Sequence, residues 1–148
     1  MGHGGKNATI VTESAELGEA AEGVMRSAFG LQNQKCSATS RVYVHQQVLE
    51  PFTELLLAKT RALRMGDPTE REVFFGPVSN ERAVQRHLGA VSRARPDRPL
   101  PLGGRRLSGG GSARGYCVGA NTARVPTGRA PRCGERCVPA LAPAYRGG

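Results

Sequence analysis

Cys36 is the residue of this 148-residue chain best placed to do chemistry, because it stands in a polar loop directly after Lys35. The thiolate is the nucleophilic form of cysteine, and an ordinary thiol ionises only near pH ~8.5, so a neighbouring cation favours the reactive form. A helical turn beginning over residues 37–40 would act in the same direction. A lone cysteine is more often a small buried apolar side chain, and these neighbours favour a nucleophile without deciding the question.

The other potential metal ligands are too scattered to predict a metal centre. Cys133 and Cys137 have a spacing compatible with half of a zinc site, but no second ligand pair stands near them. The histidines at 3, 45 and 87 occur singly, as surface or satisfied core residues do. We therefore expect no bound metal.

The elements that must position Cys36 alternate between strand and helix. Residues 8–11 form a short β-prone run, and Ser14 is a plausible N-cap for the helix that follows. Gly30 stands where a C-cap glycine would end that helix. The apolar positions at helical spacing are Leu17, Ala20, Ala21, Val24 and Ala28.

A second strand and two more helices are predicted after the Cys36 loop. Residues 41–45 alternate as a strand does, and Pro51 is tolerated only in the first turn of the next helix. Asn80 could cap a third helix that begins at Glu81. This order predicts an α/β fold with a largely parallel sheet and flanking helices. The apolar stripe of the second helix is Val48, Phe52, Leu55, Leu56 and Leu63, and the third carries Val84 and Leu88.

The chain changes composition near residue 87. Residues 1–86 carry ten basic and ten acidic side chains, so the whole net charge of +9 lies in residues 87–148, which contain eleven Arg and no Lys. That segment is rich in Gly and Pro and shows no periodicity, which predicts a disordered basic C-terminal tail. An Arg/Gly-rich tail can bind nucleic acid through phosphate contacts. It has few aromatic residues for stacking, so nucleic acid is the alternative reading and not the expected partner.

No apolar stretch approaches the ~20 residues that a membrane-spanning helix requires. The N-terminal residues lack the apolar core of a secretory signal peptide, and the four cysteines do not resemble a secreted disulfide framework. We therefore expect a cytoplasmic protein.

Two motifs resemble the aldehyde dehydrogenase superfamily. Its pattern is a Gly-Gly-Lys loop followed, after one helix, by Gly-Gln-x-Cys, and here Gly4-Gly5-Lys6 precedes Asn33-Gln34-Lys35-Cys36. The flanking residues 37–44, with Gly66-Asp67-Pro68 and Phe75-Gly76-Pro77-Val78, look most like the 1-pyrroline-5-carboxylate dehydrogenase family. The resemblance covers residues 4–88 almost continuously and fades after Val118. It implies that the chain is a partial aldehyde dehydrogenase catalytic domain.

The resemblance also implies a reaction. Cys36 would attack an aldehyde through thiohemiacetal and thioester intermediates, with NAD or NADP accepting the hydride. Ser37 would contact the substrate carboxylate, and Gly4 and Gly5 would border the nicotinamide. The implied reaction is the oxidation of glutamate γ-semialdehyde to glutamate in proline catabolism.

Several family features do not appear in this sequence. The general-base glutamate would fall where the chain has Gly2, and the cofactor-binding domain would precede that point. We therefore expect a truncated chain that is inactive alone and needs a complementing dehydrogenase fragment or a homo-oligomer. The predicted segments are a partial catalytic domain over 1–88, a degenerate family-like stretch over 89–118, and a disordered or frameshifted tail over 119–148.

Overall fold

The computed structural model describes residues 7–94, 106–107, 115–120, 122 and 136–138. Two short 3-10 turns, Gly30–Asn33 and Gln46–Val48, precede the second strand and the second helix. The strands are β1 (Asn7–Val11), β2 (Thr39–Val44) and β3 (Arg136–Val138), and the helices are α1 (Leu17–Phe29), α2 (Leu49–Arg61) and α3 (Glu81–Ala94).

The sheet has the order β1-β2-β3. Strands β1 and β2 run parallel, in a register that pairs Ala8 with Arg41 and Val11 with Val44, so the predicted strand–helix–strand unit is confirmed. Strand β3 is antiparallel to β2 and was not predicted, because it lies within residues 119–148, where we expected disorder. Three residues are too few to show an alternating pattern in the sequence.

Helices α1 and α2 pack together against one face of the sheet. Side chains alternate between the two faces of a strand, and Val11 and Val44 point toward the helices while Ile10 is 70% exposed on the other face. Lys59 on α2 donates to Glu22 on α1 at 3.0 Å. The core consists of Val11, Ala21, Val24, Met25, Ala28, Phe29, Val42, Val44, Leu49, Phe52 and Leu56.

Two details of these helices differ from the sequence prediction. The N-cap of α1 is Glu16, whose Oε2 accepts from the Glu19 N–H at 2.6 Å, whereas the Ser14 hydroxyl lies 3.2 Å from that of Thr12. Ser14 is too far from the first helical residue, Leu17, to act as the cap. On α2, Leu55 was predicted in the apolar stripe but is 38% exposed, since Phe52 and Leu56 form the buried face. The predicted C-cap, Gly30, is confirmed.

Helix α3 begins as predicted. The Asn80 Oδ1 accepts from the Ala83 N–H at 3.0 Å, which is the hydrogen bond of an N-cap. The helix continues to Ala94, six residues beyond the point where the periodic pattern was expected to fail. It builds a second small core of Val78, Ala83, Val84 and Val118, with Leu88 packed against it.

Candidate active site

Cys36 lies on an exposed turn between the end of α1 and the start of β2. The Ala38 N–H donates to the Lys35 carbonyl at 3.2 Å across this turn. A helical turn over residues 37–40, which would also have favoured the thiolate, is not formed, because Thr39 already begins β2 and the backbone there is extended. The chain therefore presents Cys36 to solvent from a turn rather than from a helix N-terminus.

The backbone before Cys36 adopts an uncommon conformation. Leu31, Gln32 and Asn33 have φ angles of 51°, 54° and 58°, which is the left-handed region that residues other than glycine rarely enter. The Gln34 N–H donates to the Leu31 carbonyl at 2.9 Å and closes the turn. This left-handed turn reverses the chain as it leaves α1 and directs it toward the turn over residues 35–38, which we call the nucleophile turn after the role predicted for Cys36.

Asn33 secures this reversal from inside. Its side chain is 2% exposed, and its Nδ2 donates both to the Ala28 carbonyl at 2.9 Å and to the Thr39 carbonyl at 3.0 Å. Ala28 belongs to the last turn of α1, whose carbonyls have no partner within the helix. One buried amide thus joins the end of α1 to the start of β2.

A hydroxyl cluster supports the same junction. The Thr39 Oγ1 lies 2.9 Å from the Ser27 Oγ on α1 and 3.0 Å from the Thr9 Oγ1 on β1. The Thr39 N–H also donates to the Ser27 Oγ at 3.2 Å. Three elements therefore meet at Thr39, three residues after Cys36.

The other predicted site residues have different outcomes. Ser37 is exposed beside Cys36. Gly4 and Gly5 lie outside the described residues. The Asn7 N–H donates to the Ala38 carbonyl at 3.2 Å, so the chain that follows the glycines reaches the nucleophile turn.

A surface cavity of about 240 Å³ lies at the carboxyl ends of β1 and β2, lined by residues 10–14 with Tyr43 and His45. Cys36 precedes Thr39 at the opposite end of β2. At ~3.3 Å per residue, the six residues of β2 separate the two places by roughly 16 Å. This cavity is therefore not where chemistry at Cys36 takes place. It is also smaller than the ~300–1,000 Å³ of typical ligand pockets.

Over the described parts of the chain, no three His, Cys, Asp or Glu side chains are grouped as they would be around a metal ion. Within the same residues, no helix is both long and apolar enough to cross a membrane. Most of the basic tail lies outside the described residues, so its predicted disorder and the nucleic-acid alternative remain predictions.

The family model for the aldehyde dehydrogenase family matches residues 1–128. The chain belongs to this family. The matched range contains the nucleophile turn and both glycines. It extends ten residues past Val118, so the family resemblance continues beyond the point where the sequence motifs were expected to fade.

Two aldehyde dehydrogenases illustrate the sequence similarity of this chain to curated relatives. An α-ketoglutaric semialdehyde dehydrogenase of Bacillus subtilis is 37% identical over 116 residues, which is 78% of this chain and 24% of that protein. A 1-pyrroline-5-carboxylate dehydrogenase of Halalkalibacterium halodurans is 36% identical over 115 residues, 78% of this chain and 22% of that protein.

A crystal structure of the 1-pyrroline-5-carboxylate dehydrogenase from Thermus with bound NAD shares the fold. It is 39% identical with a TM-score of 0.72, over 80% of this chain and 22% of that chain. The chain therefore spans less than a quarter of the length of these relatives. The α/β fold inferred from the resemblance is confirmed for the matched region.

Sequence reasoning missed the side chains that hold the nucleophile turn, above all Asn33. One signal could have indicated it. The family pattern Gly-Gln-x-Cys has a glycine where this chain has Asn33. A glycine position often marks a left-handed backbone, and asparagine is among the few other residues that tolerate it.

Proposed function

We propose that Cys36 is the nucleophile of an aldehyde oxidation whose substrate carries a carboxylate. The observation that carries the proposal is the exposed Cys36 on a supported turn, in a chain that belongs to the aldehyde dehydrogenase family. An exposed thiol can meet a substrate, whereas the other described free thiol, Cys117, is buried.

The chemistry assigned to Cys36 begins with attack of its thiolate on the aldehyde carbon. A C–S bond forms, the C=O bond becomes a C–O⁻ bond, and the product is a thiohemiacetal. A nicotinamide cofactor, when bound, accepts the hydride that leaves this carbon. We assign the backbone N–H of Cys36 as a donor to the developing oxyanion, as the family resemblance implies. Hydrolysis of the resulting thioester releases the acid and regenerates the thiol.

Ser37 is proposed to select the substrate. Its exposed hydroxyl can donate to a carboxylate on an aldehyde bound at Cys36, and hydrogen bonds to charged groups are stronger than those between neutral ones. The names of two relatives support this choice, because α-ketoglutaric semialdehyde and glutamate γ-semialdehyde, the open form of 1-pyrroline-5-carboxylate, both bear carboxylates. We propose glutamate γ-semialdehyde, with a role in proline catabolism.

NAD or NADP is the proposed cofactor, supported by the relative solved with bound NAD. Gly4 and Gly5, proposed to border the nicotinamide, lie outside the described residues. We propose that turnover needs the further parts of the family's architecture, supplied by a complementing polypeptide or by an oligomer. A reducing compartment such as the cytoplasm would keep Cys36 as the thiol.

The test is protection of Cys36 by an aldehyde. The purified chain is alkylated with iodoacetamide, and the extent at each cysteine is read by peptide mass spectrometry. Succinate semialdehyde, which has a carboxylate and no amine with which to cyclise, is compared with butanal. We expect succinate semialdehyde to slow alkylation of Cys36 selectively, because thiohemiacetal formation removes the thiolate, and butanal to protect more weakly.

The other three cysteines are the reference in the same digest. Equal protection of all four would mean that the aldehyde reacts with thiols in general. That result, or the absence of protection at Cys36, would contradict the proposal.

A further inference from the structure

We infer that Asn33 is the positioning residue of the nucleophile turn: its buried amide holds together the two ends of the loop over residues 30–38 and thereby sets the place of Cys36. The inference rests on the proposed role of Cys36. It concerns a residue that differs from the family pattern, in which glycine stands at this position.

The hydrogen bonds of Asn33 link two elements rather than two neighbours in one turn. Its Nδ2 reaches the Ala28 carbonyl in the last turn of α1 and the Thr39 carbonyl at the first residue of β2. Both acceptors are carbonyls, so only the NH₂ group of the amide can face them. Cys36 lies in the segment between the two anchored points, so these bonds limit how far it can move.

The backbone of Asn33 explains why this residue can replace glycine. Its φ of 58° is left-handed, a conformation that asparagine adopts with little strain. Glycine would keep the turn but would supply no donor. Asparagine keeps the turn and adds two buried hydrogen bonds. The left-handed turn before Cys36 is therefore more rigid with asparagine at this position than with glycine.

The surroundings of Asn33 confine the effect of removing its side chain to the turn. The side chain is 2% exposed, so its removal leaves two carbonyl oxygens with little access to water. The Ser27 and Thr39 hydroxyls still join α1 to β2, so the two elements stay together when the amide is lost. The expected change is therefore confined to the turn and does not spread to the fold.

The experiment compares Asn33→Asp and Asn33→Gly with the unchanged chain. Aspartate has the shape of asparagine and tolerates the left-handed backbone, but its carboxylate cannot donate to two carbonyls. Glycine also adopts the left-handed backbone and removes the side chain. Asn33→Gly therefore still tests the loss of both hydrogen bonds if the aspartate variant fails to fold. Asn7→Asp makes the same chemical change at an exposed side chain and is the matched control.

Hydrogen exchange of the Gln34 and Ala38 amides is the first measurement. The Gln34 amide closes the left-handed turn and the Ala38 amide closes the turn that carries Cys36. We expect exchange at these amides to rise about tenfold in both Asn33 variants, the scale of one lost buried hydrogen bond, with no change at amides within α2. Asn7→Asp should match the unchanged chain. Unchanged exchange at Gln34 and Ala38, or an equal rise in α2, would overturn the inference.

Aldehyde protection of Cys36 is the second measurement. A turn that is no longer tied to α1 and β2 by these two hydrogen bonds should raise the concentration of succinate semialdehyde needed for half-protection about tenfold in Asn33→Gly. A purely structural role of Asn33 would leave that concentration unchanged. If the unchanged chain shows no protection, the proposed function fails, while the exchange data still decide whether Asn33 holds the turn.

Discussion

Cys36 and Ser37 are adjacent on a turn that leads into Thr39, where α1, β1 and β2 are joined by hydrogen bonds. Thr39 joins Ser27 on α1 and Thr9 on β1, and Asn33 closes the loop that contains Cys36. None of these supporting groups has to touch a substrate to matter. A nucleophile that is held in one place meets its target with less loss of conformational entropy at the reacting step.

Ser37→Ala should weaken the selection of carboxylated aldehydes. Loss of a hydrogen bond to a charged group is worth ~1.5–3 kcal/mol, which corresponds to at least about tenfold in affinity. The half-protecting concentration of succinate semialdehyde at Cys36 should rise by that factor, while that of butanal stays constant. Ser40→Ala in β2 is the control. An equal effect on both aldehydes would show that Ser37 does not contact the carboxylate.

Helix ends show how local chemistry determines the elements. Asn80→Ala removes the acceptor for the Ala83 N–H at the start of α3, and a lost cap of this type destabilises a protein by ~1 kcal/mol. Urea unfolding should report that decrease. Ser79→Ala, at an exposed residue just before the cap, should stay within about 0.5 kcal/mol of the unchanged chain. Equal stability of the two variants would contradict the role of Asn80.

The features that could be predicted from the sequence are those determined by residues close together in the chain. The Asn80 cap, the helix end at Gly30 and the parallel strands around α1 all follow from residue type and spacing. The cap of α1 was misplaced because Ser14 and Glu16 can both accept a hydrogen bond, and only packing decides which one begins the helix. Strand β3 exists through pairing with β2, a partner distant in the chain, so its own three residues could not indicate it.

The residues of the candidate site show the same difference between local features and contacts between distant segments. Cys36 and Ser37 were predicted from a motif, and their exposure agrees with that role without testing it. Asn33 was missed because its function depends on Ala28 and Thr39, which come together only after α1 and β2 have packed. A contact between elements cannot be read from spacing within one of them.

For the molecule as a whole, the pH dependence of stability has one clear source in His87. This side chain is buried, and burial lowers the pKa of His87 below its ordinary value of 6.5, opposed by a hydrogen bond with the Gly119 backbone. In the unfolded chain His87 takes up a proton below about pH 6.5, whereas in the folded chain it remains neutral to lower pH. The contribution of His87 to folding stability is therefore fully present above about pH 6.5. It is lost as the pH is lowered through the window between the unfolded and the folded pKa of His87.

His87→Gln should remove this contribution. Urea unfolding followed from about pH 7 to about pH 5 should show a shallower loss of stability in the variant than in the unchanged chain. His45→Gln changes a half-exposed histidine and is the control. A variant that loses stability with the same slope as the unchanged chain would show that His87 is not the titrating group.

The account depends most on the bond between Cys36 and an aldehyde. Succinate semialdehyde labelled with ¹³C at the aldehyde carbon is mixed with the unchanged chain and with Cys36→Ala, and ¹³C NMR follows that carbon. We predict a resonance of a tetrahedral, sulfur-bound carbon in the unchanged chain that is absent in Cys36→Ala. The same resonance in both proteins, or none in the unchanged chain, would contradict the assignment of Cys36 as the nucleophile.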